Sequence, residues 1–161
     1  MKKIIAILLI TASALMTGCA TSSTIKKAYS LPQGEKLKLD ISTTGDATKD
    51  VSDQGMSILK DRLIEQLTAS NLLAGDADAS NKTIEVVVTN YYMRHGATRA
   101  TVGIFAGADN VQSTVKVKNT KTGEYLSEFT VESKNSTAWG TSKGMIQDHA
   151  DEIVATLKKS K

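Results

Sequence analysis

The chain has 161 residues, 40% of them apolar, with one proline and one cysteine, which is enough for one compact domain and too apolar for a disordered linker. Twenty Lys plus Arg stand against 17 Asp plus Glu; discounting Lys2 and Lys3, in a segment read below as removed, leaves 18 against 17. A near-neutral balance with aromatics at 4% supplies neither the phosphate attraction nor the stacking platforms of a nucleic-acid binder.

Lys2-Lys3 followed by the unbroken apolar run Ile4 to Ile10 and a stretch of small residues to Gly18 reads as a bacterial secretory signal. The run is interrupted by polar residues from Thr11 onward, short of the ~20 apolar residues that a spanning helix needs. Its ending, Leu15-Met16-Thr17-Gly18-Cys19, resembles a lipobox, with Met16, Thr17 and Gly18 as the recognition residues for lipoprotein signal peptidase and Cys19 as the lipid attachment point. The alternative is an ordinary cysteine beside a conventional cleavage site. No second cysteine exists to form an internal disulfide, so the thiol is either acylated or left free in an oxidising compartment. Attached acyl chains, palmitate among them, would anchor the protein stably once more than one is present. Ala20 stands where aspartate would signal inner-membrane retention, so the expected location in a Gram-negative host is the outer membrane, with the domain facing the periplasm.

The expected organisation is a removed signal peptide at 1–18, a lipidated cysteine with a flexible Ser/Thr-rich tether at 19–33, and a single domain at 34–161. In that domain, Leu37, Leu39 and Ile41 alternate with polar residues and predict a strand. After a polar loop at 45–51, Asp50 or Ser52 caps a helix in which Met56, Leu59, Leu63 and Leu67 recur at steps of three and four. Thr83 to Tyr92 reads as a second strand, and Val111 to Val117 as a third, with Gln112, Thr114, Lys116 and Lys118 on its polar side. The turn Asn119 to Gly123 joins it to a fourth, in which Tyr125, Phe129 and Val131 alternate with Leu126, Glu128, Thr130 and Glu132. Lys116 and Lys118 are placed to face Glu128 and Glu132 across this hairpin. Thr141 or Ser142 caps a last helix with Ile146, Ala150, Ile153, Val154 and Leu157 on one side. The order β-α-β-β-β-α predicts an α+β two-layer sandwich, an open and mostly antiparallel sheet with two helices on one face.

Reaction chemistry is hard to find. Only His95 and His149 are present, without metal-ligand spacing, so neither a metal site nor a cofactor is expected. His149 falls on the apolar side of the last helix and reads as a boundary or hydrogen-bonded core residue rather than a ligand or base. Nucleophile-elbow, phosphate-loop and dinucleotide patterns do not occur, and an enzyme is not expected. Asp76 and Asp78 share a loop that reads as solvated rather than as a cation site. The unusual stretch is Arg99 to Asp109, apolar and glycine-rich between two strands, with Gly103, Ile104, Phe105 and Gly107. A bulged strand extension or a loop over the sheet edge accounts for it, and so does an interaction surface to which Trp139 contributes.

The Thr83–Tyr92 strand, Gly96 to Arg99, the run Val102-Gly103-Ile104-Phe105-Ala106-Gly107, the turn Lys121-Thr122-Gly123-Glu124 and the closing helix together resemble the DUF4410 family of small bacterial lipoproteins. The resemblance spans about residues 35 to 158 and departs from the family where Phe105 replaces a second glycine. It implies an envelope lipoprotein and no known reaction. The element order is also similar to small periplasmic domains of lipoprotein activators of peptidoglycan synthases and of curli-type secretion lipoproteins. The expected function is a non-enzymatic periplasmic domain, anchored by its N-terminal lipid, that binds an envelope protein or self-associates through the Arg99–Asp109 loop. The alternative is an activator or accessory factor of an envelope enzyme or secretion system.

Overall fold

The computed structural model describes residues 20–45, 47–75, 78, 80–94, 108–136 and 141–159. In chain order the elements are β1 (Ala20–Lys27), β2 (Lys38–Thr43), the one-turn helix α1 (Ala47–Asp50), α2 (Asp53–Ala69), β3 (Lys82–Tyr92), β4 (Asp109–Asn119), β5 (Tyr125–Asn135) and α3 (Ser142–Lys159). From β2 onward the expected β-α-β-β-β-α order is present, with α1 set into the predicted polar loop. The five strands form one sheet in the order β1-β5-β4-β3-β2. Only the β2–β3 pair is parallel.

The first strand corrects the reading of 19–33 as a flexible tether. Ala20–Lys27 pairs antiparallel with β5, from Ala20 opposite Lys134 to Lys27 opposite Glu128. The segment lacks apolar alternation, so periodicity does not reveal it; β5's backbone groups supply the ladder that composition could not predict.

Alternation places Ile84, Val86 and Val88 of β3, Val111, Val115 and Val117 of β4, and Phe129 and Val131 of β5 on the inner face, all essentially buried. Leu59, Leu63 and Leu67 of α2 and Met145, Ile146, Ile153, Val154 and Leu157 of α3 complete the same core. Both helices start at side-chain caps: Ser52 Oγ accepts from Gly55 N at 3.1 Å, and Thr141 Oγ1 from Gly144 N at 3.0 Å. Gly55 lies under Tyr91, whose ring hydroxyl would collide with any Cβ at that position. The helices are clamped to each other by Arg62, which donates from Nε and Nη2 to the two carboxylate oxygens of Asp151 at 2.7 Å each. That bidentate pair raises the guanidinium pKa.

The β4–β5 hairpin closes as expected. Asn119 Oδ1 accepts from Lys121 N and Thr122 N, and Gly123 takes the left-handed conformation at φ +75°. Two details differ. A register shift pairs Val117 with Ser127 but Lys118 with Tyr125, which turns Tyr125 out of the Phe129 face. Its ring then lies beneath Lys116 Nζ, 4.7 Å from the centroid, on the outer face. Lys116 reaches Glu128 as expected, at 3.7 Å, but Lys118 pairs with Glu85 at 3.5 Å, and Glu132 takes Lys134 instead.

Candidate functional site

The residues singled out from the sequence fall outside the described residues: Cys19 with Met16, Thr17 and Gly18, the loop positions Arg99, Gly103, Ile104, Phe105 and Gly107, and Trp139. His95 does too. What the structure describes is the frame around them.

The chain enters the apolar segment after Arg94 and returns at Ala108, and its two ends are locked together. Arg94 and Asp109 are both fully buried at their side chains and lie 3.0 Å apart. Asp109 Oδ1 accepts from Arg94 Nε and from Arg94 N at 2.9 Å, while Arg94 Nη2 donates to the Asn135 carbonyl at 2.9 Å. A buried ion pair this well bonded adds little net stability over an apolar pair, yet breaking it strands a charge. It therefore fixes where the segment leaves and rejoins the sheet. Sequence reading ended the unusual stretch at Asp109 without pairing it to Arg94, because a separation of 15 positions gives no local pattern.

His149 bridges α3 to the sheet. It is fully buried; its Nε2 lies 2.9 Å from Ser113 Oγ on β4 and its Nδ1 2.9 Å from Ser133 Oγ on β5. Ser133 continues the chain of hydroxyls to Thr21 Oγ1 on β1, again at 2.9 Å. Burial lowers the imidazole pKa from 6.5 to about 4, so at neutral pH the ring is uncharged, one nitrogen donating and the other accepting. With both nitrogens engaged away from solvent, His149 is the core residue anticipated, and its role is to join β1, β4, β5 and α3. A second staple runs from Ser23 Oγ to Glu152 Oε1 at 2.8 Å, and Thr156 Oγ1 donates to the same oxygen at 3.0 Å.

A concave surface lies at the β2 edge of the sheet, opposite β1. A groove of about 540 Å³ runs along β2 and α2, lined by Leu39, Ile41, Ile64 and Leu73 with Lys38, Asp40 and Lys60 at its rim. Leu37 donates to Leu72 O and accepts from Ala74 N, so the Leu72–Ala74 segment covers the outer side of β2 at its start. From Leu39 onward no further strand among the described residues covers it. Sequence reading placed Leu39 and Ile41 on a buried face but could not tell that β2 would be a sheet edge. Among the described residues no group of three or more His, Cys, Asp or Glu side chains could hold a metal ion. No helix among them is long and apolar enough to cross a membrane.

No curated protein matches the chain. Among solved structures it is similar in fold to PelC from Paraburkholderia phytofirmans, crystallised as a dodecamer. One PelC structure matches at a TM-score of 0.55 and 13% identity, covering 86% of this chain and 98% of that one. A substituted PelC dodecamer matches at a TM-score of 0.57 and 14% identity, with the same coverage. A Caulobacter crescentus CB15 protein provisionally named a lipoprotein matches at a TM-score of 0.38 and 13% identity, over 74% of this chain and 88% of its own. A sequence model of the family described as "Domain of unknown function (DUF4410)" matches residues 27–140, most of the chain, and the protein belongs to that family.

Proposed function

We propose that this chain is an outer-membrane lipoprotein, acylated at Cys19, whose non-enzymatic periplasmic domain works by associating with further copies of itself. The observation that carries the reading is that Ala20, the residue after the lipobox cysteine, already lies in the sheet, opposite Lys134. An anchor without slack holds the domain close to the bilayer. Copies so held share a thin layer, which raises their effective concentration for lateral contact. Among the described residues the sheet has two open edges, β1 and β2, through which such contact can be made. Likeness of fold to PelC, a protein crystallised as a dodecamer, supports the same reading. The engaged ring nitrogens of His149 favour a structural over a catalytic histidine. The Arg99–Asp109 loop with Trp139 remains the proposed additional contact, bracketed in sequence by the buried Arg94–Asp109 pair.

Metabolic labelling with palmitate tests the anchor: the parent chain takes up label and Cys19→Ser does not. Extraction in mild detergent followed by light scattering tests association, with a mass several times that of one chain expected. Absence of label refutes the anchor, and a monomeric mass refutes self-association.

A further inference from the structure

Cross-strand rows run from β1 to β2, displaced by bulges between Ile25 and Lys27, Val88 and Asn90, and Val117 and Lys118, and the rows beside Ile25 end in matched residues at the two open edges of the described sheet. On the inner face one row reads Ile25, Phe129, Val115, Val86, Ile41 from β1 to β2. Its interior members are fully buried, whereas Ile25 is 45% exposed at one edge and Ile41 lines the groove at the other. On the outer face the neighbouring row reads Lys27, Glu128, Lys116, Glu85, Asp40, a cation at one edge and an anion at the other. The next outer row ends in Thr24 and Ser42, both small and polar.

The strand directions agree with this match. β1 is antiparallel to β5, β5 to β4 and β4 to β3, while β3 is parallel to β2, so β1 and β2 run in opposite directions. Backbone groups agree as well. Leu37 bonds outward to Leu72 and Ala74, and Thr44 N bonds inward to Val88 O, so alternation points the N–H and C=O of Ile41 out of the sheet. Carried along the row, the same alternation points those of Ile25 out of the opposite edge.

We infer that the β1 edge of one copy pairs antiparallel with the β2 edge of the next, Ile25 meeting Ile41 and Lys27 meeting Asp40, so that copies continue one sheet head to tail. The contact is heterologous: each copy offers a different edge to each neighbour, and repetition closes a ring or extends a fibre. Antiparallel addition satisfies the exposed edge groups that otherwise invite irregular aggregation. The inference rests on the self-association reading and specifies its surface.

The test uses two full-length chains in the same cells, one Ile25→Cys with one affinity tag and one Ile41→Cys with another, treated with a short bis-maleimide. Mixed-tag adducts are expected, together with a covalent ladder when both substitutions share one chain. Adducts between identical substitutions, or none, overturn the pairing. Charge reversal at the exposed end of the rows is the second arm. Lys27→Glu and Asp40→Lys are each expected to reduce the detergent-extracted assembly at least several-fold, and the two in one chain to restore it. No reduction, or no restoration, overturns the inference. A parent chain that is monomeric sinks the self-association reading itself; a parent that assembles without mixed adducts sinks only the edge pairing.

Discussion

The centre of the sheet and its first strand share one hydrogen-bonded ladder but are held in place by different forces. Phe129 and Val115 bury their side chains completely against the helices, and each fully buried side chain of this size stabilises the fold by about 1.5–3 kcal/mol. β1, in contrast, buries no residue fully, and its large apolar side chain, Ile25, is 45% exposed. What fastens it is polar: Thr21 to Ser133, Ser23 to Glu152, and Lys26 to Glu128 at 3.1 Å, which together with Lys116 holds the Glu128 carboxyl below its ordinary range. The neutral Thr21–Ser133 bond contributes about 0.5–1.5 kcal/mol, and the exposed Lys26–Glu128 pair adds little, because water competes for the same groups. A strand attached this way is the part of the sheet best suited to meet a neighbour, since little apolar surface is committed to its own domain.

The contrast can be broken most forcefully within a single row. Phe129→Ala is expected to cost about 3–5 kcal/mol in urea unfolding, against less than about 1 kcal/mol for Ile25→Ala, and equal losses would refute the division. Asp109→Ala leaves Arg94 buried without its carboxylate and is expected to cost about 3–5 kcal/mol, read from the same unfolding midpoint. Acidification probes the joint between the two regions. The unfolded imidazole of His149 takes up a proton near pH 6.5 and the folded one only near 4, so in this window the unfolded state binds more protons. Stability is therefore full above pH 6.5 and falls by on the order of 3 kcal/mol as pH drops to 4. His149→Gln is expected to flatten that slope. The smallest effect belongs to Thr21→Val, about 1 kcal/mol or less, accompanied by faster amide exchange in β1 than in β4. Exchange equally slow in both strands would show that β1 is bound as firmly as the core.

The elements that were legible in the sequence are those in which periodicity and burial coincide. Leu59, Leu63 and Leu67 repeat at the helical period, and Val111, Val115 and Val117 at the strand period, because each set faces one core. Tyr125 was assigned to the wrong face because a single extra residue in a bulge reverses alternation without leaving a signature in composition. Lys118 was matched to the wrong carboxylate because its choice depends on β3, which is distant in sequence. The Arg94–Asp109 pair and the Ser113–His149–Ser133 bridge were invisible for the same reason. Each joins residues 15 to 36 positions apart through a topology that local pattern does not encode.

Sequence alone determined the lipobox reading, the family resemblance and the apolar stripes, because each is written in neighbouring residues whose chemistry acts locally. Only the tertiary structure decided that residues 20–27 form a strand, that β1 and β2 are the open edges, and that Ile25 and Ile41 end the same row. Strand pairing is a contract between distant backbone groups that carry no side-chain label, so an edge exists only once the rest of the sheet has formed.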